Sequence, residues 1–265
     1  MHRWKPGKLF TLPHTEAMHT ATAGNDITLQ DLLRAPHERG RIGLLLLLLT
    51  LNAAWIDMLS FLSLGRVFAS FMTGNMLFIG LGVAQGNNGL VIRALVAVLV
   101  FLVGVAFGSF CLARAPQQQS GTAWHRTFAR YLLIEWLLLL VYAIIWRVTS
   151  NLSQQAGVQI LLLCLAALGM GMQGALVLLF NIPGVVADAL TGTLITLGQR
   201  LAQGLGHPGP ESQEWRWSSM FLVLLCLIYV VSAFVVALTS AFILTPVVPV
   251  IVVTIAICAL LFPSQ

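Results

Sequence analysis

Eight residues that could bind a small molecule or exchange a proton lie inside stretches that are otherwise apolar. They are Asp57, Thr73, Gly74, Asn75, Gln173, Thr191, Gly192 and Thr193. Carboxyl, hydroxyl and amide groups in an apolar run are costly to bury, so they pair with one another or face a polar cavity. They do not have the spacing of a nucleotide loop, a nucleophile elbow or a metal-ligand cluster, so we expect no enzymatic activity and no metal or cofactor.

Two Thr-Gly motifs account for six of these residues, and two interpretations of them stay open. In the first, glycine lets helices approach closely while threonine bonds to its own backbone, which is a packing role. In the second, the helix is interrupted at Gly74 and at Gly192, and the freed backbone groups hold a substrate near the middle of a membrane. The presence of one motif in each half of the chain favours the second interpretation.

The acidic and amide side chains also have structural alternatives. Asp57 is the candidate for proton coupling, because a carboxyl group can change charge between two conformations; the alternative is a hydrogen bond to a neighbouring Ser, Thr or Asn. Gln173 is either a ligand contact or an interhelical hydrogen bond. Asp188 could cap a helix that begins after a proline. We expect Glu135 to lie near the lipid headgroups.

The composition identifies the class of protein in which these residues must work. Of 265 residues, 58% are hydrophobic and 9% are charged, and the mean hydropathy is +0.90; soluble domains have about 25% charged residues. Apolar runs of about 18 residues or more recur and are long enough to cross a bilayer as helices. The sequence therefore predicts an all-α integral membrane protein. The four cysteines share no metal-ligand spacing and the six histidines lie outside the predicted apolar segments.

The apolar segments form two related sets of four. One constant shift aligns Gly74 with Gly192 and brings the other segments into the same order, which predicts membrane repeats over residues 41–150 and 157–262. The predicted segments are Ile42–Leu64, Phe68–Ala84, Leu90–Ala113, Tyr131–Val148, Val158–Phe180, Val185–Leu205 and the run Met220–Phe262, which must turn back once near Thr239–Pro246.

The number of membrane crossings depends on the two interrupted segments, 67–84 and 185–205. If both cross, the chain has eight transmembrane helices and parallel repeats; if both are re-entrant, it has six and the repeats are inverted. Arginine and lysine are concentrated beside the same face in either model, which predicts a cytoplasmic N-terminus. Residues 1–40 should form a mostly disordered arm with a short amphipathic helix at 28–35.

A set of motifs spread over both halves resembles a known family. The residues are Ala54, Trp55, Ile56, Asp57, Phe61, Phe68, Met72, Thr73, Gly74, Asn75, Gly169, Met170, Gly171, Met172, Gln173, Thr191, Gly192, Thr193 and Leu194. Over roughly residues 36–262 the chain resembles the YoaK-like family of bacterial transmembrane proteins, a domain of unknown function. The resemblance implies at most the transport of a small molecule. Gly174 stands where members usually have Asn, and Val186, Ala187 and Asp188 replace their Arg-Thr-Thr, so a ligand contact through that arginine is not expected here.

These observations lead to one expected function and one alternative. We expect a secondary transporter or permease of the bacterial inner membrane that moves a small solute through a polar site between the repeats, with coupling to protons as one mode. The alternative is a membrane scaffold or sensor that does not transport and binds a partner through residues 1–40. The net charge of +5 comes from residues scattered beside the apolar runs, so nucleic acid is not an expected partner, whereas a homo-oligomer is left open.

Overall fold

The computed structural model describes residues 36–113, 123–149, 155–180, 190–206, 212–239 and 245–261. Helices are the only regular elements in these ranges: α1 (Pro36–Ser63), α2 (Met72–Ala84), α3 (Asn88–Ala113), α4 (Ala123–Val148), α5 (Ala156–Leu179), α6 (Leu190–Gly206), α7 (Ser212–Thr239), a 3-10 turn (Thr245–Val247) and α8 (Val248–Leu261). Asp188 and the helix predicted at 28–35 lie outside the described residues.

Five of the helices, α1, α3, α4, α5 and α7, are long and apolar enough to cross a membrane. Two shorter apolar helical segments, Met72–Ala84 and Thr245–Leu261, accompany them. The reversal predicted in the last apolar run is confirmed, because α7, which ends at Thr239, runs parallel to α1, whereas α8 runs antiparallel to it. The chain is a multi-pass all-α membrane protein.

Helix α4 begins earlier than the sequence predicted. We expected it to start at Tyr131, since His125, Arg126 and Arg130 precede that residue, but the helix starts at Ala123. Both arginines are exposed, while His125 is buried and its Nε2 lies 2.8 Å from Nη1 of Arg41 on α1. The polar residues are therefore accommodated within the helix, and the expectation that every histidine lies outside the apolar helices is wrong for His125.

The short helix α2 is preceded and followed by sharp turns. Its 13 residues span about 20 Å at 1.5 Å per residue, less than the ~30 Å of a bilayer core. The chain leaves α1 through Gly65 and Arg66, both with positive φ. At the other end, Gly86 also has positive φ, and the side chain of Asn87 accepts the N–H of Leu90 at 3.1 Å to cap α3.

Contacts along the helices establish their relative directions. Asn52 on α1 bonds to Gln173 on α5, whereas Ser63 further along α1 bonds to Gln159 near the start of α5, so these helices are antiparallel. Gly104 of α3 lies against Gly171 of α5, and a later α3 residue, Gly108, lies against Ala175, so α3 and α5 are parallel. Helices α1 and α3 are therefore antiparallel, which requires α2 to turn back rather than cross.

Side-chain contacts also establish the directions of the remaining helices. Helix α7 runs parallel to α1, because Gly43 lies beside Phe221 and Leu51 accepts a bond from Ser232. Helix α8 runs antiparallel to α1, because Arg41 bonds to the carbonyl oxygen of Leu260 while Trp55 bonds to that of Thr245. Helix α4 runs antiparallel to α5, because Tyr131 bonds to Met172 while Leu139, further along α4, lies beside Gly169. The directions of α1, α3, α4, α5, α7 and α8 therefore alternate, as expected for six crossing segments arranged as two inverted halves.

The main helix contacts also come in pairs that match between the halves. Helix α3 packs on α5 as α7 packs on α1, α2 packs on α3 as α6 packs on α7, and α4 packs on α5 as α8 packs on α1. The contacts α1–α5 and α4–α8 each join equivalent helices. Such pairing is that of two repeats related by a two-fold axis through these last two contacts. The boundaries 41–150 and 157–262 stay a prediction.

Candidate functional site

Three buried polar side chains from three helices meet on one side of α1. The amide nitrogen of Asn52 donates to Oε1 of Gln173 on α5 at 2.9 Å and to Oε1 of Glu135 on α4 at 3.2 Å. Gln173 in turn donates through Nε2 to the carbonyl oxygen of Leu49 at 3.0 Å. All three side chains are fully buried. We call this group the central cluster.

Glu135 is the member whose position was predicted wrongly. The expectation that it lies near the headgroups followed from starting α4 at Tyr131. With α4 spanning Ala123–Val148, Glu135 is halfway along the helix and completely inaccessible to solvent. Its carboxylate thus lies at the depth where burial of charge is most costly. Asn52 also lies near the middle of the apolar part of α1, Gly40–Ser63.

Several buried polar atoms of α1 and α4 have no hydrogen-bond partner among the described residues. The side-chain oxygen of Asn52 and the hydroxyl groups of Thr50, Ser60 and Tyr142 are buried and have no hydrogen-bond partner in the described part of the chain. One turn before Glu135, the hydroxyl of Tyr131 donates to the carbonyl oxygen of Met172 next to Gln173. The side-chain oxygen of Asn52 is therefore an open acceptor inside the central cluster.

Asp57 lies on a different side of α1 and binds the backbone that leads into α2. Its Oδ1 accepts the N–H groups of Ala69 at 2.8 Å and Ser70 at 2.7 Å, and its Oδ2 accepts the hydroxyl of Ser70 at 2.6 Å and that of Tyr229 on α7 at 3.3 Å. Asp57 lies nearly two turns before the end of α1, so the segment containing Ala69 has turned back into the protein to reach it. The bond to a neighbouring serine that the structural interpretation required is present.

The first Thr-Gly motif has two buried residues and one exposed residue. Asn75 is fully buried and fixes the same entry segment, because its Oδ1 accepts the N–H of Phe68 at 2.9 Å and its Nδ2 donates to the carbonyl oxygen of Phe68 at 2.7 Å. Gly74 is buried against the ring of Phe71, where a Cβ atom would overlap the ring. Thr73, between the two, is exposed. The motif thus shapes the entry into α2 with Gly74 and Asn75, and Thr73 faces outward.

The second motif begins helix α6. Thr193 is buried, Gly192 is half-buried and Thr191 is exposed. The carbonyl oxygen of Gly192 accepts the hydroxyl of Thr196 at 2.9 Å, a bond within the helix. Helix α6 packs mainly on α7. These residues occupy in the second half the place that Gly74 and its neighbours occupy in the first.

The predicted site residues are therefore not brought together into one site: the second Thr-Gly motif lies at the start of α6, and Asp57, Asn75 and Gln173 fall into two groups around α1. Asp57 and Asn75 hold the entry to α2, whereas Gln173 belongs to the central cluster. Asn52 and Asp57 are five residues apart, which places them about 140° apart around the helix axis. The sequence prediction included Gln173 but not Asn52 or Glu135. Asn52 gives a signal in the sequence, as a polar residue near the centre of the predicted segment Ile42–Leu64, whereas Glu135 gives none, because the sequence places it one turn inside a helix that starts at Tyr131.

Comparison with known proteins places the chain in a family. A family model described as "Protein of unknown function (DUF1275)" matches residues 45–262. The UPF0700 transmembrane protein YoaK of Bacillus subtilis (strain 168) is 30% identical over 196 residues, covering 74% of this chain and 83% of that protein. No solved structure matches the chain. The motifs that resemble this family lie in helices of both inverted halves. The chain belongs to the DUF1275 family of transmembrane proteins.

Proposed function

We propose that the protein is a secondary transporter or permease for a small polar solute and that it catalyses no chemical reaction. The observation that carries the proposal is the central cluster, Asn52, Glu135 and Gln173. It lies near the middle of α1 and α4, and its bond between Asn52 and Gln173 crosses the contact between the equivalent helices α1 and α5. Transporters built from inverted repeats bind their substrates near the bilayer midplane between the repeats.

A transporter of this kind needs two parts that move relative to each other, and the two inverted halves would be those parts. Two halves related by a two-fold axis can rock about the contacts α1–α5 and α4–α8, which would uncover the central cluster to one face at a time. The short helix α2 and the entry to it, held by Asp57 and Asn75, would form part of the barrier on one face. We place this protein in the bacterial inner membrane with its N-terminus in the cytoplasm, where the positive-inside rule puts the arginine-rich face.

The chemistry of the cluster indicates the kind of solute. The carboxyl group of Glu135 and the open side-chain oxygen of Asn52 are acceptors. A solute that replaces the bonds among these residues must offer hydrogen-bond donors, as small molecules with amino, amide or hydroxyl groups do. Leu49, whose carbonyl oxygen accepts from Gln173, and Leu139, one turn after Glu135, are fully buried, so the solute must be small.

A thermal-shift screen of the detergent-solubilised protein tests the proposal. Small metabolites with donor groups are added singly, and a ligand at a concentration of 100 times its Kd should stabilise the protein by about 2.7 kcal/mol. Asn52→Leu should abolish that shift, while Gly80→Ala, at an exposed position of α2 with open space around it, should retain it. If no metabolite stabilises the protein and a partner co-purifies through residues 1–40, the scaffold alternative is correct and the proposal is wrong.

A further inference from the structure

The side-chain oxygen of Asn52 is an unsatisfied acceptor inside the central cluster. The amide nitrogen of this residue donates to both Glu135 and Gln173, yet its Oδ1 is buried without a hydrogen-bond partner among the described residues. Leaving a buried acceptor without a donor costs about 1–3 kcal/mol. A donor placed next to Oδ1 would therefore stabilise the contact between α1 and α4.

A carboxylic acid is the natural complement of a primary amide. The amide presents an N–H and a C=O side by side, and a protonated carboxyl group presents a C=O and an O–H in the same arrangement. Oε1 of Glu135 already accepts from the N–H of Asn52 at 3.2 Å. We propose that Glu135 binds and releases a proton, and that its protonated carboxyl group donates its O–H to Oδ1 of Asn52 while it accepts from Nδ2.

Protonation at this place changes both the charge and the bonds between the helices. When a proton from water adds to Glu135, an O–H bond forms, the carboxyl group becomes neutral and two hydrogen bonds join α4 to α1. When that O–H bond breaks, the proton returns to water, the group carries one negative charge and a single bond to Asn52 is left. As the coupling step of a transport cycle this inference rests on the proposed function, because the two states would favour different arrangements of the halves.

The neighbouring elements contain few other groups that titrate. Tyr131, one turn before Glu135 on α4, uses its hydroxyl to donate to Met172. Helices α5 and α8, which pack on α4, contain no Asp, Glu, His, Lys or Arg, and their titratable side chains are Cys164 and Cys258. Asp57 of α1 is bonded on another side of that helix to Ser70 and Tyr229. Glu135 is thus the acidic group of the central cluster.

Infrared spectroscopy of the full-length protein in lipid vesicles can detect the proton directly. Near pH 7.5 exposed carboxyl groups are ionised, so a protonated carboxyl C=O band that shifts in D2O reports a buried acid. We expect this band in the wild-type protein, its loss in Glu135→Gln and its retention in Asp57→Asn. In Asn52→Leu the band should persist at a higher frequency, because the carboxyl group loses its amide partner; this variant keeps the test decisive if Glu135→Gln does not fold.

Each contrary outcome overturns the inference. The wild-type protein could lack the band, or the band could survive in Glu135→Gln and disappear in Asp57→Asn, which would assign the proton to Asp57. An unchanged frequency in Asn52→Leu would show that the acid does not pair with Asn52. The band reports the proton whether or not a solute is moved, so a thermal-shift screen without any hit would refute the transport function while leaving the band as it is.

Discussion

Two buried polar networks on different sides of α1 use their hydrogen-bonding groups in opposite ways. On one side, both oxygens of Asp57 accept bonds, from two backbone N–H groups, one serine and one tyrosine. On the other side, Asn52 uses its donors fully and leaves its oxygen open. The first network has no vacant acceptor on Asp57, which suits a fixed anchor for α2. The second keeps an unused acceptor, which suits a site that exchanges protons or ligands.

The largest loss of stability is expected when Asp57 is replaced. Asp57→Ala removes the acceptor of four bonds and leaves two buried backbone N–H groups unpaired. Since hydrogen bonds to charged groups contribute about 1.5–3 kcal/mol each, the free energy of unfolding should fall by about 3 kcal/mol or more. Denaturation of the purified protein in mixed micelles measures this loss. A change below about 1 kcal/mol would show that Asp57 does not anchor the segment before α2.

A smaller effect of the same kind is expected at Asn75. Asn75→Ala removes both bonds to the backbone of Phe68 and should lower the free energy of unfolding by about 1–2 kcal/mol. The matched control is Thr73→Ala, two residues earlier on the same helix and exposed, which should change it by less than about 0.5 kcal/mol. Equal effects of the two substitutions would contradict the conclusion that Asn75 holds the entry to α2.

Substitutions in the central cluster should have the opposite result, with a small loss of stability and a large loss of function. Interhelical hydrogen bonds in membrane proteins contribute about 0.6 kcal/mol on average, so Gln173→Leu should cost only about 1 kcal/mol in the same denaturation assay. It should nevertheless abolish the thermal shift produced by any ligand found in the screen. If Gln173→Leu destabilises the protein as much as Asp57→Ala, the two networks do not differ in role.

The smallest expected effect is that of Tyr229, the most distant of the hydrogen-bond donors to Asp57. The hydroxyl of Tyr229 approaches Oδ2 of Asp57 at 3.3 Å, the longest of its four bonds. Tyr229→Phe keeps the ring and should lower the free energy of unfolding by about 0.5 kcal/mol. A loss comparable to that of Asp57→Ala would mean that α7, rather than the backbone before α2, is the main partner of this carboxylate.

Much of the fold was predictable because apolar length and repeated motifs are local features of a sequence. The segment around Gly74 follows from its polar motif, and the reversal between α7 and α8 follows from the length of the apolar run Met220–Phe262. The direction of α3 relative to α1 did not follow, since it depends on whether α2 reaches the far face. Glu135 was misplaced because exposed arginines and a histidine bonded to Arg41 extend α4 beyond its apolar part. The role of Asn52 does not follow from the sequence, since it comes from partners on two other helices.

The inverted arrangement of the halves requires α2 to turn back, and labelling of single cysteines from each side of the membrane tests this. In a chain whose four native cysteines are replaced by alanine, Gly40→Cys, Gln85→Cys and Ala113→Cys place a thiol at three exposed positions. We predict that an impermeant reagent labels the first and third from the same face and Gln85→Cys from the opposite face. Labelling of Gly40→Cys and Gln85→Cys from one face and of Ala113→Cys from the other would show that α2 crosses, and would contradict the inverted repeats around the central cluster.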